Sequence, residues 1–179
     1  MSMIAENYAQ ALYTLAKDED LDTQILQQLE MLQASFAQEP EFLRLLGSHN
    51  LSKEERGKIA DDSLRQHVHI YVLNFIKVLI DNGCVRCFAD CVKLYRKQYN
   101  ADRNILTVTA VTAVALSEPQ TQKLLDKLTE LTGKTVVLQN RIDPQCLGGV
   151  RLDYEGKSLD GTVKRQMETM DHLLKNTVL

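Results

Sequence analysis

The spacing of apolar residues predicts that the first hundred residues of the chain are helical. Apolar side chains recur there at every third or fourth position, which is the period of an α-helix. The helix predicted over residues 3–17 has two apolar stripes, one of Ile4, Tyr8, Ala11, Leu12 and Leu15 and one of Ala5, Ala9, Tyr13 and Ala16. A surface helix needs one apolar face to pack on its neighbours, so the second face is in excess.

Capping residues divide the rest of this helical region. A second helix is predicted from about Asp22, which is a suitable N-cap, and a short third helix from Pro40 to a left-handed cap at Gly47. Ser52 and Glu55 have the spacing of a capping box, which predicts the start of a fourth helix.

The fifth predicted helix lies in the segment HVHIYVLNFIKVLIDNG, which is apolar on nearly every face and ends at Asn82-Gly83. Such a helix must be covered by neighbours on most sides, either in its own bundle or by a partner. A cysteine-bearing helix follows, to about Tyr99. The pattern therefore predicts an N-terminal bundle of about six helices.

The period of the pattern changes after the polar residues 100–104, which are predicted to be a linker. Leu106, Val108 and Ala110 alternate with threonines, as in a half-buried strand. A capping box at Ser117 and Gln120 predicts a helix that Gly133 ends, with its inward face formed by Leu124, Leu125, Leu128 and Leu131.

The remaining segments are predicted to be a strand over 134–141, a hairpin over 150–159 that turns at Glu155-Gly156, and a last helix capped by Asp160. The apolar face of that last helix is Val163, Met167, Met170 and Leu174. A helix between the first two strands favours a parallel pair. The fold class is therefore mixed: an all-α bundle over 1–104 and a small α/β domain over 105–179, with about four strands and two helices.

Composition is that of an ordinary globular protein, with 44% hydrophobic and 25% charged residues and a net charge of −3. Asn74 and Lys77 interrupt the longest apolar run, so no membrane-inserted segment is predicted. The N-terminus lacks the basic region of a signal peptide, so we expect a cytoplasmic protein. The 21 basic residues are scattered and Trp is absent, which disfavours nucleic-acid binding.

Two triplets raise the possibility of nucleotide binding, Gly156-Lys157-Ser158 and Gly133-Lys134-Thr135. A P-loop needs another glycine five positions before the triplet and a helix directly after it. Arg151 and Leu128 occupy the earlier positions, and both triplets are followed by predicted strands. We therefore expect no nucleotide cofactor, although an enzyme that binds nucleotide through Lys157 stays an alternative hypothesis.

Cys84, Cys87 and Cys91 have a spacing at which thiolates can share a metal ion. On a helix the same spacing places all three on one apolar face, where a buried cysteine behaves as a small hydrophobic residue. The favoured interpretation is core packing, with a metal or redox adaptor as the alternative. The four histidines are dispersed, and no residue pattern predicts a catalytic site.

Three stretches resemble the δ subunit of bacterial F-type ATP synthase, the family that includes the mitochondrial oligomycin-sensitivity-conferring protein. They are Tyr8-Ala9-x-Ala11-Leu12, Asn74-Phe75-x-x-x-Leu79-x-x-Asn82-Gly83 and the run from Ile142 to Val163, which contains the motif residues Gly148, Gly149, Asp160, Gly161 and Val163. The resemblance covers essentially the whole chain, in order. One departure is Cys84, because the family commonly has arginine after Asn-Gly.

The resemblance implies a non-catalytic stator subunit that ties the catalytic head to the peripheral stalk, so that rotor torque drives ATP synthesis by proton transport. It implies that the first and fifth helices form a groove for an α-subunit N-terminal helix, lined by Tyr8, Ala11, Leu12, Asn74, Phe75, Val78 and Leu79. The second domain would meet the C-terminal ends of the b subunits. The implied location is peripheral, at the cytoplasmic face of the plasma membrane, with no small-molecule ligand.

Overall fold

The computed structural model describes residues 3–48, 50–146, 148–154 and 156–161. The chain divides into two compact units, Met1–Tyr99 and Asn100–Leu179. Helices dominate the first unit and a four-stranded sheet the second, so the predicted mixed fold class is confirmed.

The first unit is a helical bundle with one apolar core. Its helices are α1 (Met3–Asp18), α2 (Asp22–Gln38), α3 (Pro40–Leu46), α4 (Lys53–Leu64), α5 (Ile70–Asp81) and, as far as Tyr99, α6 (Phe88–Asp102). A 3-10 turn, Val85–Cys87, precedes α6. The largest fully buried side chains include Ile25, Leu29, Leu73, Ile76 and Tyr95. Each amphipathic helix thus gives its apolar stripe to a common interior.

Some of the predicted helix ends are confirmed and others are wrong. The Ser52 side chain accepts a hydrogen bond from the Glu55 N–H, and Glu55 accepts one from the Ser52 N–H, so the predicted capping box is present. Asp22 is not an N-cap, because it is already helical and Leu21 precedes it without a side-chain cap. Gly47 ends α3 with a φ of −93°, so the predicted left-handed cap is also wrong.

The second unit contains a mixed sheet. Its elements are β1 (Ile105–Thr112), α7 (Glu118–Thr132), β2 (Thr135–Ile142), a 3-10 turn (Pro144–Cys146), β3 (Val150–Tyr154) and β4 (Lys157–Asp160). The strand order is β2-β1-β3-β4, with β1 parallel to β2 and antiparallel to β3. The predicted parallel pair and hairpin are therefore confirmed, and the predicted inward residues Leu106, Val108 and Ala110 are buried.

Two predictions in this part of the chain differ from the structure, and a third falls outside the described residues. Helix α6 continues to Asp102, so most of the predicted linker over 100–104 is helical. Leu131 is largely exposed rather than inward, while the other three leucines of α7 are half-buried. The predicted last helix, with Val163 and Met167 on its apolar face, lies outside the described residues.

Candidate partner-binding surface

Helix α1 has a buried face and an exposed apolar flank beside it. Its buried residues are Ala5, Ala9, Leu12, Tyr13 and Ala16. Next to Leu12 lie Tyr8, which is half-buried, Ala11, which is exposed, and Leu15, which is 43% exposed. These three residues recur at helical spacing and form the α1 strip. None of them carries a charge.

Helix α5 buries six of its twelve residues, and an uncharged strip remains exposed. The buried residues are Val72, Leu73, Phe75, Ile76, Leu79 and Ile80. Ile70, Asn74 and Val78 succeed one another at four-residue intervals on the opposite face, with Ile70 50% and Val78 41% exposed. These three residues form the α5 strip. It contains two branched apolar side chains and no charge.

Polar contacts fix α5 on both sides of its strip. The Lys77 ammonium lies 2.6 Å from the Asp61 carboxylate of α4. The Tyr71 hydroxyl donates a hydrogen bond of 2.8 Å to the Glu19 carboxylate, just after α1 ends, and this bond raises the pKa of Tyr71. The beginning of α5 is thereby held beside the end of α1, and the two helices contact each other. The strips thus lie on neighbouring helices of a fixed framework.

The two strips are suited to binding an apolar surface rather than to chemistry. Scattered exposed apolar residues are normal on a protein, but uncharged residues aligned on adjacent helices are typical of an interface. An amphipathic partner helix binds by placing apolar residues at the same spacing against such a surface.

The structure divides the seven predicted groove residues into two groups. Tyr8, Ala11, Asn74 and Val78 are at the surface, whereas the other three, Leu12, Phe75 and Leu79, are buried in the bundle core. The buried three hold the strips in place from beneath.

The resemblance also omitted two exposed apolar residues, Leu15 and Ile70. Leu15 lies four residues after Ala11, and Ile70 lies four residues before Asn74. Helical periodicity could therefore have found both, because each continues a strip by one turn.

The glycine-rich motif of the second unit determines the backbone path just before β3 and just after β4. Gly149 has a φ of +83°, which a residue with a side chain adopts only with strain. A Cβ at Gly161 would lie 3.2 Å from the Val150 carbonyl oxygen, to which the Gly161 N–H donates a hydrogen bond. Gly148 lies two residues before β3 and Asp160 is the last residue of β4, while Val163 lies outside the described residues. The motif therefore supports the fold of the hairpin.

Neither Gly-Lys-Ser/Thr triplet has the geometry of a P-loop. Gly133 ends α7 in a left-handed cap with a φ of +64°, and β2 begins two residues later. Gly156 is in the hairpin turn, and Lys157 begins β4. The Ser158 hydroxyl donates a hydrogen bond of 2.7 Å to the Asp153 carboxylate, which lowers the pKa of Asp153. Among the described residues, both triplets thus run into a strand rather than into the first turn of a helix, and it is that first turn whose N–H groups hold the phosphate in a P-loop.

The cysteines are arranged differently from the prediction of three on one helix face. Cys91 is buried in α6, but Cys84 and Cys87 are half-buried in the turn before it. Among the described residues, no group of three His, Cys, Asp or Glu side chains is arranged to hold a metal ion. Within the same residues, no helix combines the length and apolar character needed to span a bilayer.

Comparison with known proteins places the whole chain in one family. The family model of the ATP synthase delta (OSCP) subunit matches residues 4–174. The chain belongs to the ATP synthase delta (OSCP) subunit family. The resemblance drawn from the sequence is therefore confirmed.

Relatives of this family match over nearly their full length. ATP synthase subunit delta of Alkaliphilus oremlandii is 30% identical over 177 residues, which cover 99% of this chain and 98% of the relative. The same subunit of Clostridioides difficile is 27% identical over 179 residues, which cover 99% of both chains. The family is a non-catalytic subunit of the ATP synthase complex.

A chain of one solved structure has a similar fold. A chain of the Toxoplasma gondii mitochondrial ATP synthase hexamer superposes with a TM-score of 0.77 and covers 97% of this chain and 98% of its own length. Its sequence identity is 16%, so the similarity concerns the fold.

Proposed function

We propose that this chain is the stator subunit that ties the catalytic α/β head of an F-type ATP synthase to the b subunits of the peripheral stalk. In this role it resists rotor torque at the cytoplasmic face of the plasma membrane, so that proton transport drives ATP synthesis. Membership of the ATP synthase delta (OSCP) family supports the assignment to the complex.

The observation that carries the proposal is the pair of uncharged strips on α1 and α5. They receive the amphipathic N-terminal helix of an α subunit, with Tyr8, Ala11 and Leu15 on one wall and Ile70, Asn74 and Val78 on the other. Apolar residues of the incoming helix cover these side chains and remove their exposed area from water, which is the main source of affinity in helix-in-groove binding. The second unit binds the C-terminal ends of the b subunits.

The groove is tested by placing a charge in the α5 strip. Val78→Asp puts a carboxylate where the partner helix excludes water, and we expect binding of an α-subunit N-terminal peptide to weaken by about 2 kcal/mol, or roughly 30-fold. Titration calorimetry with the peptide from the same organism measures the change.

Leu45→Asp is the matched control. Leu45 is 42% exposed and lies near the end of α3, as Val78, 41% exposed, lies near the end of α5. We expect this variant to bind the peptide with unchanged affinity. Equal affinities of the two variants, both folded by circular dichroism, would contradict the assignment of the groove.

A further inference from the structure

The connection between α5 and α6 contains two cysteines that the stator function does not use. Cys84 and Cys87 are separated by Val85 and Arg86 and belong to the turn that leads into α6. Both side chains are half-buried at the edge of the core, so they are held by packing and still reach the surface. A pair of thiols in such a position is a candidate site of reversible oxidation.

Backbone hydrogen bonds fix the position of Cys84 on both sides. Helix α5 ends in a Schellman motif, in which the Gly83 N–H donates to Ile80 and the Cys84 N–H donates to the Leu79 carbonyl at 2.8 Å. Gly83 has the left-handed φ of +66° that this motif needs. The Cys84 carbonyl in turn accepts a hydrogen bond of 2.9 Å from the Cys87 N–H.

This turn brings the two residues to the separation of a disulfide. A turn closed by a hydrogen bond between residues i and i+3 holds their Cα atoms less than about 7 Å apart. Disulfides join cysteines whose Cα atoms are about 4.4–6.8 Å apart. The Cys84 thiol donates a hydrogen bond of 3.3 Å to the Asn82 carbonyl, an exposed contact at the surface of the bundle. Oxidation therefore needs no rearrangement of the helices on either side.

Cys91 is a poor competitor for the same reaction. It is buried in the bundle core, and desolvation raises its pKa to about 12. The thiolate is the reactive form of cysteine, so Cys91 is almost entirely unreactive near neutral pH. A disulfide between Cys84 and Cys87 is therefore favoured over one that includes the buried Cys91.

We propose that Cys84 and Cys87 form a reversible intrachain disulfide by exchange with a small-molecule disulfide such as oxidised glutathione. Cys84 loses its proton and attacks one sulfur of that molecule, which forms a mixed disulfide and releases one thiolate. The Cys87 thiolate then attacks the Cys84 sulfur and expels the second thiolate. The protein loses two protons and two electrons, and the small-molecule disulfide is reduced to two thiols.

The closing step is expected to accelerate as pH rises. Desolvation, followed by the effect of the neighbouring Cys84 thiol, raises the pKa of Cys87. A raised pKa leaves little thiolate at neutral pH, and each increase in pH below that pKa increases the reactive fraction. The mixed disulfide on Cys84 is therefore longest-lived at low pH.

The test is incubation of the full chain with oxidised glutathione, followed by alkylation in denaturant and mass spectrometry. We expect the intact protein to lose the mass of two hydrogens and Cys84 and Cys87 to lose their reactivity towards iodoacetamide together. Fragment spectra assign the protected residues, and excess reduced dithiothreitol restores both thiols. Cys91 and Cys146 remain open to alkylation.

Two variants distinguish the proposed pair from other pairings. In Cys84→Ser we expect no loss of hydrogens, while Cys91→Ala is oxidised as the natural chain is. The proposal is overturned if both thiols stay free, if they end as two separate glutathione adducts, or if the protected pair includes Cys91. If Cys91→Ala does not fold, the cysteines that are protected from iodoacetamide in the natural chain still identify the disulfide pair.

Discussion

Tyr95 links α6 to both α1 and α2. Its side chain is fully buried, and its ring meets that of Tyr13 edge to face with centroids 5.2 Å apart. Its hydroxyl donates a hydrogen bond of 3.1 Å to the backbone carbonyl of Asp22 in α2. Burial raises the pKa of Tyr95, so the hydroxyl stays protonated and remains a donor.

Tyr95→Phe should therefore lower the free energy of unfolding by about 1–2 kcal/mol, because the ring still fills its place but the buried carbonyl loses its donor. Urea unfolding followed by circular dichroism measures the loss. The control is Tyr99→Phe, one turn later on α6, whose hydroxyl bonds to Thr23 in an exposed position. If Tyr99→Phe lowers the free energy of unfolding as much as Tyr95→Phe does, burial of the hydrogen bond does not determine its contribution to stability.

Sequence patterns identified which residues are apolar but not which of them a neighbour covers. Leu12 and Ala11 belong to one predicted stripe, yet the first is buried and the second is exposed. Phe75 and Val78 differ in the same way on α5. A stripe becomes a core or a surface only when the other helices are in place, and periodicity along one helix does not contain that information.

At the scale of elements, local chemistry decides where a helix begins and ends. The capping box at Ser52 and the alternation at Leu106 to Ala110 depend on neighbouring residues alone, and the structure contains both. Asp22 is different, because its carbonyl is held by Tyr95 from a distant part of the chain. The residues around Asp22 do not reveal this contact with a residue 73 positions away, and the structure places Asp22 inside α2 rather than at its N-cap.

Two glycines offer the same substitution with opposite expected effects. Gly83 ends α5 with a left-handed φ, whereas Gly57 lies inside α4, and an added Cβ meets nothing within 4 Å at either site. Gly83→Ala should lower the free energy of unfolding by about 1–2 kcal/mol through backbone strain alone. Gly57→Ala should raise it by about 0.5–1 kcal/mol because alanine favours the helix.

Guanidinium chloride unfolding of both variants beside the natural chain measures these changes. A shift of the two midpoints in the same direction would contradict the account of how α5 ends.

At the scale of the whole molecule, a tether needs two binding surfaces on one chain. Under the proposed function, the first of the two compact units binds the catalytic head and the second binds the b subunits. The α1 and α5 strips are uncharged, so their binding should depend on apolar contact and respond strongly to an inserted charge. A change confined to one strip should then disconnect one partner and leave the other bound.

The most direct measurement is size-exclusion chromatography of the purified catalytic head, the soluble part of the b subunits and the full chain. The account predicts that head and b subunits co-elute only when the chain is present. With Val78→Asp the chain should still elute with the b subunits while the head elutes alone. Co-elution of head and b subunits without the chain, or loss of both partners with Val78→Asp, would contradict the tether.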